Sequence, residues 1–147
     1  MTAQFGRTRR PILVLSIAAL LAFSTRIAAA ADWPTFKPGR WTFERTMTAT
    51  GSTPEKVSRT ECTDPTADQK DQQTMLTKAG CLFTPLTQTG KTYRYSATCK
   101  MGGMSTKSDS VLEAESAEAY TITVDSTVDG SKTHEVLRAR RIGDCAK

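Results

Sequence analysis

The cysteines constrain the fold of this 147-residue chain more than any other feature of its sequence. Residues 32–147 hold only 15 Leu, Ile, Val and Phe side chains among 116 residues, which is little material for a hydrophobic core. Such a chain needs covalent links to offset its limited burial. An even number of cysteines in an exported chain is typical of disulfides, and the absence of a Cys-x-x-Cys pair argues against zinc. We therefore expect two disulfides among the four cysteines: Cys62, Cys81, Cys99 and Cys145.

The number of cysteines does not decide their pairing, since four cysteines allow three arrangements. We favour Cys62–Cys81, which would clasp a short helix, together with Cys99–Cys145, which would tie the C-terminus to the middle of a sheet. The competing pair is Cys81–Cys99, because these residues would lie opposite one another in a hairpin centred on Gly90. Each bridge is expected to contribute roughly 2–4 kcal/mol by restricting the unfolded chain.

Residues 1–31 have the features of a bacterial secretory signal. An arginine-rich start at residues 7–10 precedes an apolar stretch at residues 11–23, and a run of alanines ends before Asp32. The apolar stretch is shorter than the roughly 20 residues that span a membrane, so we expect no transmembrane segment after cleavage. An uncleaved anchor and a twin-arginine signal are the alternatives. We expect residues 32–147 to form one β-rich domain in the periplasm of a Gram-negative bacterium.

The formal net charge of the whole chain is +5, which by itself hints at nucleic-acid binding. Residues 1–31 hold four of the 20 basic residues and none of the 15 acidic residues, so residues 32–147 carry 16 bases against 15 acids. This near-neutral mature chain gives no support to a basic face for DNA or RNA. We therefore expect no nucleic-acid partner.

Alternating side chains predict strands through most of residues 32–147. At residues 41–50, apolar and threonine-rich positions alternate, which is typical of a strand with one buried face. Seven short strands predict a mainly β fold, with an antiparallel sheet that is curved, sandwich-like or barrel-like. The expected strands are 41–50, 55–62, 81–89, 92–100, 109–116, 119–128 and 132–142.

Two local features depart from this pattern. Asp64-Pro65 has the form of a helix N-cap followed by proline at the first helical position, and Gly80 fits the helix end. Because the segment between them is polar, we expect a short surface helix. The last strand alternates poorly, since Arg138 and Arg140 share parity with apolar residues, so we expect a bulge or a sheet edge there.

A set of short motifs runs through residues 32–147. They are P-G-R-W at residues 38–41, Cys62 before the helix, Gly80-Cys81 after it, Cys99, and R-R-I-G-D-C at residues 140–145. Together they resemble the bacterial domain-of-unknown-function 3617 family. That family usually has leucine in place of Arg40 and a Met-Pro-rich linker in place of residues 51–54. The resemblance implies a small exported protein with paired cysteines, and it supplies no catalytic residues.

Catalysis has little support in the sequence. The chain has one histidine, His134, and no serine or cysteine nucleophile motif accompanies it, so we expect no enzyme activity and no catalytic residues. Met101 and Met104 flank a Gly-Gly pair, and their thioethers would suit Cu(I), with Met47 or His134 as a further ligand. The alternative is a plain turn whose methionines pack on the core. We favour that alternative and expect no cofactor.

Two other residue sets are candidates for binding. If the sheet curls enough to enclose a cavity, four aromatic side chains would line it, and their more usual role is to fill the core: Trp41, Phe43, Tyr93 and Tyr95. Three arginines of the last strand would contact an anionic partner, such as lipid head groups or an acidic protein surface, or would protect a sheet edge: Arg138, Arg140 and Arg141.

These observations predict a periplasmic protein that acts by binding, with an envelope protein or a small apolar ligand as its partner. One alternative is an inhibitor-like module, similar in general character to the small periplasmic β proteins that block lysozymes. The other alternative is copper handling through the methionines. An apolar cavity of several hundred Å³ would favour the small ligand.

Overall fold

The computed structural model describes residues 30–146, so the predicted export signal at residues 1–31 lies almost entirely outside the described range. Within this range the chain is mainly β, as predicted. Eight strands and one helix occur there: β1 (Gly39–Ala49), β2 (Glu55–Thr63), α1 (Pro65–Lys78), β3 (Cys81–Phe83), β4 (Thr87–Thr89), β5 (Thr92–Met101), β6 (Met104–Ser116), β7 (Ala119–Val128) and β8 (Ser131–Gly143).

The strands form one open antiparallel sheet. Its order is β2-β1-β8-β7-β6-β5-β3, and β4 pairs with β5 on the same side as β3. Strands β5 to β8 follow one another by short turns, whereas β1 pairs with the last strand, β8. The predicted antiparallel sheet is therefore confirmed, and a helix covers one of its faces instead of a second sheet.

The strands differ from the predicted ones at two places. The predicted strand 81–89 is interrupted at residues 84–86, where Pro85 has no backbone N–H to donate to the ladder, and this gives eight strands instead of seven. The Gly-Gly pair does not break the sheet. It forms a tight turn in which Met101 and Met104 face one another, so β6 begins at Met104.

The last strand lies in the middle of the sheet, so the prediction of an edge there is wrong. Strand β8 pairs with β1 on one side and with β7 on the other. Its basic residues are tolerated because Arg138 lies directly opposite Glu44, and the guanidinium of Arg140 is 3.9 Å from the carboxylate of Glu115. The other predicted feature, a bulge, is present where the β1–β8 register shifts beside Ile142.

The register divides the side chains of the sheet between two faces, because directly opposed residues point to the same side. One such row runs from Phe43 through Ala139 to Tyr120 and lies on the inner face, under the helix. The outer face carries mostly threonine, serine and charged residues. The hydrophobic core lies on the inner face and consists of Phe36, Trp41, Phe43, Leu86, Tyr93, Leu112, Tyr120, Ile122 and Ala139.

Helix α1 begins and ends as its local sequence predicts. The carboxylate of Asp64 accepts hydrogen bonds from the backbone N–H groups of Thr66 and Ala67, at 3.0 and 3.2 Å. The helix lies at the surface, as predicted, and buries only Pro65 and Gln69. Gln69 lies beside Tyr120, and in residues 30–146 no buried side-chain nitrogen or oxygen atom lacks a hydrogen-bond partner. In the described part of the chain, no helix has the length and apolar character needed to cross a membrane.

The two disulfides are Cys62–Cys145 and Cys81–Cys99, so the favoured pairing is wrong and the competing pair is present. We call them the terminal bridge and the hairpin bridge. Cys81 lies directly opposite Cys99 in the β3–β5 ladder, with Cα atoms 4.1 Å apart. Arg40 has Cys62 as its β2 neighbour and Gly143 as its β8 neighbour, so the segment after β8 needs to cross only β1 to reach Cys62.

The first and last motifs of the family pattern meet in space. We call this contact the motif junction, formed by Pro38, Gly39, Arg141, Gly143 and Asp144. The guanidinium of Arg141 donates to the carbonyl oxygen of Pro38 at 3.0 Å and pairs with the carboxylate of Asp144. Gly39 lies so close to β8 that a Cβ atom there would be 2.5 Å from Arg141 Nε and 2.6 Å from the Gly143 carbonyl oxygen. The motif junction therefore joins the start of β1 to the end of β8.

Candidate functional site

A cavity of about 230 Å³ lies between helix α1 and the inner face of the sheet. We call it the helix–sheet cavity. The helix contributes a row of glutamines and Leu76, and the N-terminal segment contributes Trp33. The sheet contributes the remaining lining: Arg45, Phe83, Tyr95, Ala97, Cys99, Ser108, Ser110, Val124 and Glu135.

Aromatic rings form one wall of the helix–sheet cavity. The rings of Trp33 and Tyr95 meet edge to face, with centroids 5.2 Å apart, and Phe83 lies 6.3 Å from Tyr95 on the other side. The indole N–H of Trp33 donates to the side-chain oxygen of Gln73 at 3.1 Å, which fixes the ring against the helix. Burial raises the pKa of Tyr95, partly opposed by a hydrogen bond with Ser110, so its hydroxyl is neutral at physiological pH.

The polar part of the lining both donates and accepts hydrogen bonds. Gln72 and Gln73 present side-chain amides from the helix, and Ser108 and Ser110 present hydroxyls from β6. An ion pair completes this part, with Arg45 Nη2 at 2.5 Å from Glu135 Oε2. The hydrogen bond to Glu135 raises the pKa of the Arg45 guanidinium, which stays charged. The site is therefore amphipathic, with aromatic rings at one end and hydrogen-bonding groups at the other.

A second cavity, of about 330 Å³, adjoins the first on the side of β2. We call it the β2-side groove. The two share the side chains of Arg45, Gln72 and Glu135, which form a partition between them. Beyond the partition, the Arg59 guanidinium lies 5.0 Å from the centre of the Phe43 ring and 3.1 Å from the carboxylate of Glu61. The remaining lining of the β2-side groove is Val57 and Leu137.

The four aromatic residues predicted for a pocket all lie on the inner face, but only two of them reach a cavity. Tyr95 lines the helix–sheet cavity, and Phe43 lines the β2-side groove. Trp41 and Tyr93 are buried in the core, where they pack under the N-terminal segment and β4. The pocket is therefore formed by the helix and the sheet together, and not by closure of a barrel.

The residues proposed for copper are not brought together. Met101 and Met104 are opposed at the turn of the β5–β6 hairpin, whereas His134 lies on the outer face and its ring nitrogen is 2.7 Å from Asp125. Asp125 is opposite Asp109, five residues along β6 from Met104, which is roughly 17 Å at the usual rise of a strand. In residues 30–146, moreover, no group of three His, Cys, Asp or Glu side chains is placed to hold a metal ion.

The three arginines proposed as an anionic contact do not form one patch. Arg138 and Arg140 lie on the outer face, close to the acidic residues described above. Arg141 pairs with Trp41 just before the bulge, its side chain is only 16% exposed, and it belongs to the motif junction. Its backbone N–H also donates to the carbonyl oxygen of Glu118 at 2.8 Å. Arg141 therefore has a structural role in this fold.

Sequence reasoning missed the residues that form the site. Trp33, Gln72 and Gln73 are not among the predicted site residues, although α1 carries three glutamines and three threonines among its 14 residues. The sequence feature that points to them is a helix with several glutamines and few aliphatic side chains, because the side of such a helix that packs on a sheet carries amides. Arg45 and Glu135 are adjacent only because β1 and β8 pair, which the sequence does not state.

Comparisons with known proteins give one match. A family model described as "Protein of unknown function (DUF3617)" matches residues 36–145, which includes both halves of the motif junction and all four cysteines. No curated protein and no solved structure matches the chain.

Proposed function

The chain belongs to the DUF3617 family of proteins of unknown function, and from this premise we propose that it is an exported, non-catalytic protein that binds a small ligand in the helix–sheet cavity. One observation carries the proposal. Polar side chains from the helix and the sheet line one partly enclosed cavity, beside the aromatic rings of Trp33 and Tyr95. A concave, largely pre-formed space with a few placed polar groups is the usual form of a small-molecule site.

Export is supported by the disulfides and by the predicted signal. Both bridges join residues that are distant in sequence, 83 and 18 residues apart, and such bonds persist in oxidising compartments. The test is expression of the full chain in a Gram-negative host, followed by fractionation and thiol alkylation. We expect a shortened chain in the periplasmic fraction with no alkylated cysteine. A full-length cytoplasmic chain with free thiols would contradict export.

Binding without catalysis is supported by the chemistry of the lining. The one carboxylate in the helix–sheet cavity, Glu135, is held by Arg45, so it is a poor general base. His134 lies on the opposite face of the sheet, where it cannot reach a ligand in the cavity. The groups that remain are amides, hydroxyls and rings, which orient a ligand and do not transform it.

The two tryptophans provide a direct test of binding. Trp33 lines the helix–sheet cavity, whereas Trp41 is fully buried in the core and donates to the Lys37 carbonyl oxygen at 3.1 Å. In a ¹⁵N-labelled sample of the exported, oxidised protein, the two indole N–H signals report on these sites separately. We would add fragment-sized compounds of aromatic, glycosidic, amino-acid and short-acyl chemistry at millimolar concentration. At least one class should shift the Trp33 signal alone; a set in which no compound does so refutes the proposal.

A further inference from the structure

The size of the two cavities indicates how a ligand would lie. The helix–sheet cavity, at about 230 Å³, is smaller than the roughly 300–1,000 Å³ of ordinary small-molecule sites, and the β2-side groove is near the lower end of that range. Three residues line both cavities and form their partition: Arg45, Gln72 and Glu135. Gln72 is exposed, and the side chain of Arg45 is 51% exposed, so both can move without unfolding the helix or the strand. An elongated ligand would therefore occupy both cavities across the partition.

The charges in the lining favour an uncharged ligand. Each arginine there has its own carboxylate: Arg45 with Glu135, and Arg59 with Glu61. An anion would have to compete with a carboxylate already in place, and a cation would have to displace a guanidinium. A neutral molecule can instead hydrogen-bond to both members of a pair while they stay together, because the Glu135 carboxylate retains free lone pairs and Arg45 retains free N–H groups.

The hydrogen-bonding groups favour a ligand rich in hydroxyls. Amides and serine hydroxyls each donate and accept, and an ion pair offers a donor and an acceptor side by side. A hydroxyl group both donates and accepts at a single oxygen atom, so it can use either kind of partner at each of these positions. The rings of Trp33 and Tyr95 add an apolar surface at one end, against which a flat C–H face can pack.

We infer that the ligand is a neutral carbohydrate of about two sugar units, with one ring against Trp33 and Tyr95 and the other beyond the partition, near Phe43. This inference rests on the proposed function and adds the ligand class to it. Gln72 has a central role because it borders both cavities, so its amide reaches the junction between the two rings. The Arg45–Glu135 pair selects against charged sugars.

The test uses matched β-1,4-linked disaccharides on the exported, oxidised protein. The neutral probes are cellobiose and N,N′-diacetylchitobiose, the anionic probe is cellobiouronic acid, and the cationic probe is the glucosamine dimer. The readout is the shift of the Trp33 indole signal, with the Trp41 signal as the internal reference. At least one neutral probe should shift Trp33 in a saturable manner and at lower concentration than either charged probe.

A pair of variants tests the position of the ligand. Gln72→Leu removes an exposed amide shared by the two cavities and should weaken the bound neutral probe about five- to tenfold, the usual effect of one lost hydrogen bond. Gln88→Leu makes the same change on β4, at an exposed residue that lines neither cavity, and should leave the affinity unchanged. Equal effects of the two variants would contradict the placement across the partition.

The outcomes separate this inference from the proposed function. If a charged disaccharide binds more tightly than both neutral probes, or if other fragments shift Trp33 and neither neutral disaccharide does, the carbohydrate inference is wrong and ligand binding stands. If neither the disaccharides nor the fragments shift Trp33, both the inference and the proposed function are wrong.

Discussion

Replacing Gly39 with alanine tests the motif junction, where the first and last motifs of the family pattern meet. The backbone of Gly39 has a φ of +154°, outside the region that L-residues readily adopt. A Cβ atom would also lie 2.6 Å from the Gly143 carbonyl oxygen and 2.5 Å from Arg141 Nε. The backbone oxygen belongs to a paired strand, and Arg141 is held by its contacts with Pro38 and Asp144, so neither neighbour can yield cheaply.

Gly143 offers a matched control for this substitution. Its φ is +153°, nearly the same as that of Gly39, but a Cβ atom there would meet nothing within 4 Å. Both Gly→Ala changes therefore share the backbone strain, of order 1–3 kcal/mol, and the loss of unfolded-state entropy. Only Gly39→Ala adds the steric conflict, which for an overpacked site costs roughly 1–3 kcal/mol. We expect Gly39→Ala to be about 2 kcal/mol less stable than Gly143→Ala.

The assay is urea unfolding of the oxidised protein, followed by the fluorescence of Trp41, which is fully buried. A difference of about 2 kcal/mol corresponds to roughly 6–12 °C in the melting temperature of a domain of this size. If the unfolding free energies of Gly39→Ala and Gly143→Ala agree within about 0.5 kcal/mol, the close approach of β1 and β8 does not constrain this position.

Three further predictions concern the disulfides, the helix and the core. Removing the terminal bridge by Cys62→Ser with Cys145→Ser should cost about 4.5 kcal/mol, and removing the hairpin bridge by Cys81→Ser with Cys99→Ser about 3 kcal/mol, because the loops span 83 and 18 residues. Urea unfolding measures both costs, and the reverse order would contradict the loop argument. Asp64→Ala should cost about 1 kcal/mol through loss of the helix N-cap, while Asp64→Asn should cost much less. Burial raises the pKa of Tyr120 to about 12, whereas a tyrosine in the unfolded chain has a pKa near 10. The unfolded chain therefore ionises first, and Tyr120 should lower the stability by up to roughly 3 kcal/mol between about pH 10 and pH 12. Tyr120→Phe should remove this contribution and leave that of Tyr95, whose pKa is also raised by burial; an unchanged pH profile of unfolding in the variant would refute the assignment.

The elements of the fold could be predicted because each depends on neighbouring residues. The N-cap at Asp64, the proline after it and Gly80 define a helix within one short segment, and α1 has the predicted bounds. Alternation defined β1 and β7 for the same reason, since a strand with one buried face repeats every two residues. The predicted strand 81–89 is interrupted because Pro85 has no backbone N–H for the ladder, which is also a property of a single residue.

The candidate site could be predicted only in part. Tyr95 and Phe43 were selected as aromatic residues on a buried strand face, and they do reach the two cavities. Gln72 could not be predicted because it is exposed on a polar surface helix, and its place beside both cavities follows from how that helix lies on the sheet. The ion pair between Arg45 and Glu135 exists only through the pairing of the first and last strands.

The sequence by itself determined what short stretches of chain decide: a mainly β fold, one capped helix, the turns, the bulge and the presence of two disulfides. Tertiary structure alone decided which strands are neighbours, and with them the cysteine pairs and the contents of the cavity. The physical reason is that capping and alternation act within a few residues, whereas strand order is settled by the competition of many distant pairings for one hydrophobic face. Cys62 and Cys145 are 83 residues apart in the chain, and nothing near either of them indicates that only β1 lies between them in the sheet.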